Sequence, residues 1–147
     1  MSWFLCTISR HEPSNWGKCK EVGLWGVPGY VNAVKEVKRG DRLLFWIGGK
    51  GYVGYGVVTE EGRVPQSRQD APWPGGLARW NYVIPIRVQV EIQQPLRLKF
   101  DKSVQEQTGF SASRFQRGFS PIEYIPALQV AEQILERSIE EIDPSTR

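Results

Sequence analysis

The sequence predicts a small α+β fold in which about five or six strands form an open barrel. Helices flank the barrel, and the last element of the chain is a C-terminal helix. Several short β-rich segments are separated by turns that are rich in glycine and proline, and they do not alternate regularly with helices. One long amphipathic pattern ends the chain. The 147 residues, of which 40% are apolar, are enough for a core. We therefore expect residues 1–147 to form one domain.

The first third of the chain predicts one strand and a short helix. Residues 3–9, WFLCTIS, are β-rich and form the expected first strand. Ser14 is a suitable N-cap for a helix that runs to about Val22, where Gly23 can adopt the left-handed conformation that ends it. Residues 30–41 predict one or two further helical turns before a Gly-Asp turn.

The middle of the chain predicts a β-hairpin. Residues 42–47, RLLFWI, and 52–60, YVGYGVVTE, flank the turn GGKG. The letters of residues 49–54, GKGYVG, match a dinucleotide-binding pattern, but its third glycine must open a helix and here the chain continues as a strand. Gly54 and Gly56 inside that strand predict the close approach of another backbone or a ligand.

A long loop and two further strands follow the hairpin. Residues 61–80 lack any period and contain three prolines and two tryptophans, which predicts a long surface loop. Residues 82–92 alternate apolar and polar side chains after Pro85, a proline that indicates an edge strand or a bulge. Residues 96–100, LRLKF, predict one more strand.

The chain ends in an amphipathic helix. Pro126 suits the first turn, where the backbone needs no donor. Five apolar residues recur every three or four positions and are expected to face the core: Leu128, Ala131, Leu135, Ile139 and Ile142.

Charge is distributed unevenly along the chain. Residues 121–147 carry six acidic and two basic side chains, so residues 1–120 carry 17 of the 19 basic but only 10 of the 16 acidic ones. A basic body of this kind indicates a face that meets phosphates, or simply a solvated surface. No apolar run is long enough to span a membrane and no signal peptide is evident, so we expect a cytoplasmic protein in which Cys6 and Cys19 are buried thiols.

The residues of common catalytic sites are missing from the sequence. The chain has a single histidine, His11, in a polar turn, where a surface role is expected. Neither cysteine lies in a Cys-x-x-Cys pair. Three carboxylates in or near the long loop, Glu60, Glu61 and Asp70, leave open a small hydrolase or transferase that acts on a nucleotide-like ligand.

Several segments together resemble the EVE family of the PUA-like superfamily and, more distantly, its YTH relatives. They are NW at residues 15–16, LWGVPG at 24–29, the hairpin region 37–60, the Trp-Pro loop that leads to VIPIRVQVE, and FQRGFSPIEYIP before the last helix. The resemblance covers nearly the whole chain. It implies a twisted, partly closed PUA-like β-barrel.

The resemblance also implies a function. Members and relatives read modified bases, either methylated or hydroxymethylated cytosine or N6-methyladenine, in DNA or RNA. They flip the base into an aromatic cage, and some serve modification-dependent restriction systems. Trp25 matches the first cage ring, Trp73 or Trp80 the second, and Asn15 an edge-reading asparagine. The expected protein is a non-catalytic reader without cofactor or metal, whose partners are modified nucleic acid and a nuclease or motor, and it is either complete or the recognition module of a longer protein.

Each candidate residue has a structural alternative. Asn15 could cap the helix that begins near Ser14, and the tryptophans could be core residues, as we expect for Trp3, Trp16 and Trp46. Six basic side chains are candidates for phosphate contacts as a group: Arg39, Arg42, Lys50, Arg79, Arg114 and Arg117.

Overall fold

The computed structural model describes residues 1–29, 32–97, 115 and 118–142, and this part contains six strands and three α-helices. In chain order the elements are β1 (Trp3–Ile8), α1 (Asn15–Val22), β2 (Leu24–Pro28), β3 (Arg42–Ile47), β4 (Gly51–Val58), α2 (Gly76–Arg79), β5 (Trp80–Leu96), β6 (Phe119–Ile122) and α3 (Tyr124–Ile142). Two short 3-10 helices cover Asn32–Glu36 and Arg68–Asp70.

The six strands form one curled sheet in the order β2-β5-β4-β3-β1-β6. β1 and β3 are parallel, whereas the other neighbouring strands are antiparallel. The predicted α+β fold with a partly closed barrel and a C-terminal helix is therefore confirmed. The predicted β3–β4 hairpin is confirmed as well, with the turn between Ile47 and Gly51.

The segment that carries Trp25 is a strand, although its glycines and proline indicated irregular backbone. β2 pairs with the first part of β5, so that Trp25 lies opposite Ile84 and Gly26 opposite Val83. The pairing partner lies far along the chain, and the local sequence therefore gives no sign of it. As a result Trp25 is only 2% exposed and is not presented on a loop.

β5 is one long strand that curls the sheet. Its first part pairs with β2 as far as Pro85, and from Ile86 onward it pairs with β4. Pro85 thus lies where the strand changes partner inside the sheet, so the edge-strand alternative predicted from this proline was wrong, and the register shifts of β5 lie elsewhere. Of the predicted strand at residues 96–100, Leu96 is the last residue of β5, and residues 98–100 lie outside the described part. Gly54 and Gly56 of β4 face the backbone carbonyls of Val90 and Arg87, which confirms the expected close approach.

Apolar side chains form a core on each face of the sheet, because successive strand residues point to opposite sides. On β3, Phe45 belongs to a core shared with α1, β2 and the 61–80 loop, whereas Trp46 belongs to a core shared with α3. Trp3, Trp16 and Trp46 are buried as expected. Cys6 and Cys19 are buried free thiols.

The predicted buried stripe of α3 was wrong in its position on the helix. The helix buries Ala127, Val130, Ala131, Ile134 and Ser138 against the sheet. Of the five stripe residues only Ala131 is buried, while Leu128, Leu135, Ile139 and Ile142 are exposed. The facing surface of the sheet carries bulky rings, including Trp3, Trp46 and Tyr52, so small helix residues give the closer approach.

Two local predictions are also corrected. α1 runs from Asn15 to Val22 and ends at Gly23 with φ 67°, as expected, but the Ser14 side chain makes no capping hydrogen bond. The 61–80 segment is not merely a surface loop, because its Ala71 and Trp73 are almost fully buried.

Candidate functional site

A pocket of about 440 Å³ opens at the edge of the sheet where the parallel strands β1 and β3 end. Its walls come from the end of β1 and the turn that follows it, from α1, β2 and the 61–80 segment, and from Gly48 beyond β3. The Gly48 backbone N–H donates to the Ile8 carbonyl at 2.8 Å, which holds the two strand ends together. The volume lies in the range of about 300–1,000 Å³ that is typical of small-ligand sites.

Three tryptophans line this pocket: Trp25, Trp73 and Trp80. The Trp25 ring is tilted against Phe45 at a centroid distance of 5.7 Å, and Trp73 lies 5.2 Å from Trp80. All three are largely buried, with exposures of 2%, 1% and 7%. The structure therefore brings together the three rings that the sequence singled out, as pocket walls packed into the core.

Hydrogen bonds hold the segment around Pro74 that carries Trp73 and Trp80. Arg68 Nη1 donates to the carbonyls of Ala71 and Trp73 at 3.0 and 2.8 Å. The Trp80 indole Nε1–H donates to the Pro74 carbonyl at 3.0 Å. Because the backbone on both sides of Pro74 is held, the rings of Trp73 and Trp80 keep a fixed relation to each other.

Polar atoms that lack partners are buried on residues of the pocket lining. The Asn15 side-chain Oδ1 and the Trp25 Nε1–H are both buried, and neither has a hydrogen-bond partner among the residues that the structure describes. Asn15 is itself only 5% exposed. Since a buried polar atom without a partner costs about 1–3 kcal/mol, such atoms call for an explanation. Asn15 is not the helix cap, because α1 begins at Asn15 and its Oδ1 caps nothing.

Cys19 lies on the same pocket wall as a neutral thiol. Burial raises its pKa to about 12, an effect that the nearby Trp73 indole N–H partly opposes. That N–H is buried and does not reach full hydrogen-bond geometry with any acceptor in the described part of the chain. A thiol acts as a nucleophile only as the thiolate. Cys19 therefore has the character of a structural residue.

An ion pair lies at the pocket wall where Arg79 covers Trp80. The Arg79 guanidinium donates to both carboxylate oxygens of Glu12, at 2.6 and 2.9 Å. The same guanidinium lies 4.5 Å from the Trp80 ring centroid. The hydrogen bonds from Arg79 lower the pKa of Glu12. The Glu12–Arg79 pair joins the turn after β1 to the segment that carries Trp73 and Trp80.

The other predicted phosphate contacts are dispersed. Arg39 and Lys50 are exposed in turns on either side of β3, and the turn of Lys50 also contributes Gly48 to the pocket. Arg42 lies toward the α3 face of the sheet, 5.2 Å from the Trp3 ring centroid. Arg114 and Arg117 lie outside the described residues. Of the four that the structure describes, only Arg79 lines the pocket.

The loop carboxylates do not join the pocket. Glu60, Glu61 and Asp70 are absent from its described lining. Asp70 instead accepts two hydrogen bonds from Arg63, at 2.7 and 3.1 Å, which with the Gln66 N–H lower its pKa to about 2. Within the described residues no three His, Cys, Asp or Glu side chains come together as a group that could hold a metal ion.

Sequence reasoning missed the pocket wall formed by the turn after β1. Residues 9–12 all line the pocket, including Arg10, His11 and Glu12. His11 is exposed, as expected, and it also lines the pocket. Its place in the wall follows from the parallel pairing of β1 with β3, because carboxyl ends of parallel strands meet at one edge of a sheet. The signal in the sequence for this wall is the polar cluster Arg10, His11 and Glu12 directly after the predicted first strand.

Comparison with solved structures identifies the fold. The chain superposes on a structure of the YTH domain-containing protein Mmi1 in complex with RNA with a TM-score of 0.70, covering 96% of this chain and 85% of that one at 12% identity. The fold is that of YTH domains. A hypothetical protein from Leishmania major superposes with a TM-score of 0.63 at 15% identity over 92% of this chain and 96% of that one. The CPSF4-YTH domain of Toxoplasma, in its apo form, gives 0.59 at 15% identity over 92% and 88%.

Sequence comparison is more limited. No family model matches the chain. A UPF0310 protein of Pyrococcus abyssi is 44% identical over 48 residues, which is 32% of this chain and 32% of that protein. The match thus spans about a third of the relative. None of the helices in the described part combines the length and the apolarity that crossing a lipid bilayer requires.

Proposed function

We propose that the chain is a non-catalytic reader of nucleic acid that accepts one modified base, flipped out of its strand, in the pocket bounded by Trp25, Trp73 and Trp80. The observation that carries this proposal is the combination of aromatic walls with the unpaired atoms Asn15 Oδ1 and Trp25 Nε1. Two solved neighbours with the same fold are structures of the Mmi1 YTH domain with RNA, which supports nucleic acid as the ligand.

The polar atoms define what the ligand must present. Asn15 Oδ1 needs a donor and the Trp25 indole N–H needs an acceptor. An adenine or cytosine edge carries an exocyclic N–H next to a ring nitrogen acceptor, and this pattern supplies both. Both atoms are buried, so neighbouring side chains must move to admit the ligand. A ligand of this kind then pairs with both atoms, and an aliphatic ligand of equal size does not.

Stacking supplies the remaining affinity. Removing a base from its stack costs a few kcal/mol. Contact with an aromatic side chain returns about 1–3 kcal/mol per base. Stacking on the tryptophans and the two polar contacts together contribute enough free energy to offset the cost of flipping the base. A methyl or hydroxymethyl group adds apolar contact to the rings, so we propose methylated or hydroxymethylated cytosine or N6-methyladenine as the base.

Basic side chains near the pocket are the proposed phosphate contacts. Arg10 lines the pocket, and Lys50 lies in the same hairpin turn as Gly48 of the lining. Arg39, Arg114 and Arg117 remain members of the proposed group. Arg42 fits it poorly because it lies toward the α3 face. Arg79 can join the group only by leaving Glu12.

Two features favour binding without chemistry. Burial raises the pKa of Cys19 to about 12, so its thiol stays protonated. The pocket carboxylate, Glu12, is held by Arg79, which lowers its pKa. Neither group is tuned for nucleophilic or acid–base work near neutral pH. A nuclease or motor of a modification-dependent restriction system is the kind of effector that such a reader would serve.

The proposal is tested by titrating labelled oligonucleotides that differ only in one base. Matched DNA and RNA strands carry cytosine, 5-methylcytosine, 5-hydroxymethylcytosine, adenine or N6-methyladenine at the same position. We expect one modified strand to bind more tightly than its unmodified twin, and Asn15→Leu to abolish the difference. The matched control is Trp16→Phe, which alters a tryptophan outside the pocket lining and should keep the preference. Equal binding of every modified and unmodified pair would overturn the proposal.

A further inference from the structure

One side of α3 carries apolar side chains that the described part of the protein leaves exposed. They are Ile125, Leu128, Leu135, Ile139 and Ile142, which we call the apolar stripe. Together with Tyr124 they make up six of the ten exposed large apolar side chains in the described residues. Single exposed apolar residues are normal, but such a concentration on one element marks an interaction site.

The stripe is a second face of α3, next to the one that packs on the sheet. The packed face is made of Ala127, Val130, Ala131, Ile134 and Ser138. At 100° per residue, Leu128, Leu135, Ile139 and Ile142 lie about a quarter turn around the helix from these residues. The stripe therefore does not serve the core.

The spacing of the stripe is that of a helix-pairing seam. Leu128, Leu135 and Ile142 are separated by seven residues, and Ile125 and Ile139 occupy the alternate positions of the same heptads with Glu132 between them. Apolar residues at both heptad positions pack as knobs into the holes of a second helix. A partner helix is the shape that fits this pattern.

The charges within and beside the stripe define the partner further, because Glu132 occupies one of its heptad positions. Exposed acidic side chains on this helix include Glu132, Glu136 and Glu140. Its single basic residue, Arg137, donates to the backbone carbonyls of Gln94 and Pro95 on the sheet, at 3.1 and 2.9 Å. The exposed flank is thus acidic, and a second copy of the same helix would bring like charges together.

α3 is also held rigidly enough to present the stripe. The Glu141 carboxylate accepts hydrogen bonds from the backbone N–H groups of Gln93 and Gln94, at 2.8 to 3.0 Å. With the Arg137 contacts these bonds tie the end of α3 to β5. A fixed helix face reduces the ordering cost of binding.

We propose that the apolar stripe of α3 is a docking surface for a basic amphipathic helix of another protein. The partner's apolar side chains pack between those of the stripe, and its Lys or Arg side chains lie beside Glu132 and Glu136. The α3 residues that pack inward belong to a different core from Trp25, Trp73 and Trp80. Docking therefore leaves the tryptophan pocket free.

The test uses two synthetic helical peptides of about three heptads with leucine at both seam positions. One carries lysine and the other glutamate at the flanking positions, and each is titrated by fluorescence anisotropy into the purified protein. We expect the basic peptide to bind at least about tenfold more tightly than its acidic twin, and added salt to weaken it. Binding of both peptides with equal affinity, or of neither, would overturn the proposal.

Variants distinguish packing from general charge attraction. Leu135→Gln keeps the charge and should weaken the basic peptide about tenfold, because one buried leucine contact is lost. Glu132→Lys should weaken the basic peptide and strengthen the acidic one. Gln133→Ala, an exposed change away from the stripe, is the matched control and should bind like the parent. Loss of peptide binding in the control equal to that in Leu135→Gln would count against the stripe.

Sedimentation of the purified protein tests whether a second copy of this chain, and not another protein, covers the stripe. We expect a monomer over the concentration range of the peptide titrations. A dimer that dissociates in the Leu135→Gln variant would assign the stripe to a second copy of this chain and overturn the proposed partner.

Discussion

The indole ring of Trp73 lies directly against the backbone of Gly26. A Cβ atom added at Gly26 would come within 2.6 Å of the Trp73 ring, closer than any side chain allows. The 61–80 segment and β2 can therefore meet only because residue 26 is glycine. This contact sets the position of one pocket wall relative to Trp25, the neighbour of Gly26 on the strand.

Gly26→Ala should displace the Trp73 ring and destabilise the protein by about 1–3 kcal/mol, the usual cost of overpacking. Denaturant unfolding measures the loss, and oligonucleotide binding by the folded variant should weaken as well. The control is Gly17→Ala in α1, where an added Cβ meets nothing within 4 Å. That variant should gain about 0.5–1 kcal/mol, because alanine favours helix. Equal stability of the two variants would contradict the contact.

Asn15→Leu should separate stability from binding. The buried Asn15 Oδ1 has no partner among the described residues, so replacing the amide by an apolar group of similar size should leave the free energy of unfolding unchanged or raise it by up to about 1–3 kcal/mol. Affinity for the modified strand should fall. A variant that melts earlier and binds as tightly as the parent would make Asn15 a structural residue.

The sequence predicts those parts of the fold whose partners are close along the chain. The β3–β4 hairpin and the helix that ends at Gly23 depend on short-range patterns, and both are observed. β2 was missed because it is short and its partner, β5, lies some sixty residues further on. Local propensity carries no information about such a pairing.

The orientation of α3 was missed for a different reason. Two stripes run along this helix, and hydrophobicity alone favours the one with leucine and isoleucine. The buried stripe is made largely of small side chains, including Ala127, Ala131 and Ser138. Only knowledge of the bulky rings opposite, such as Trp46 and Tyr52, would have identified it.

The pocket was predicted in part. Trp25, Trp73, Trp80 and Asn15 came from a family resemblance, and the structure brings all four to one cavity. The wall at residues 9–12 could not be predicted, because it depends on β1 ending beside β3.

Glu12→Gln should strengthen nucleic acid binding at low salt. The substitution removes the carboxylate that holds Arg79 at 2.6 Å and leaves that guanidinium free to meet a phosphate. One additional phosphate contact steepens the dependence of log affinity on log salt by about 0.9 for duplex DNA. Titrations between about 50 and 200 mM salt measure this slope. An unchanged slope with weaker binding would indicate that the Glu12–Arg79 pair positions Trp80 instead.

Asp70→Asn should reduce the acid sensitivity of the protein. Hydrogen bonds from Arg63 lower the pKa of Asp70 from its ordinary value of 3.8 to about 2. The folded state is therefore stabilised by this carboxylate above pH 3.8, and that contribution is lost as the pH falls toward 2. The variant should be less stable than the parent at neutral pH, with a smaller difference at pH 2. Chemical unfolding at several pH values measures it, with exposed Glu21→Gln as the control, and a difference that does not shrink would contradict the assignment.

The central claim, that one base enters the tryptophan pocket, is tested most directly by the indole N–H resonances of the six tryptophans. Single Trp→Phe variants assign the signals in a ¹H–¹⁵N spectrum, which is then followed during titration with the preferred modified strand and with its unmodified twin. We predict that the modified strand shifts the Trp25 signal most, together with that of Trp73, because neither N–H has a partner among the residues that the structure describes. The Trp16 N–H, which donates to Glu91 at 2.9 Å, should stay in place. Saturation by the modified strand with the Trp25 and Trp73 signals unmoved would contradict the account.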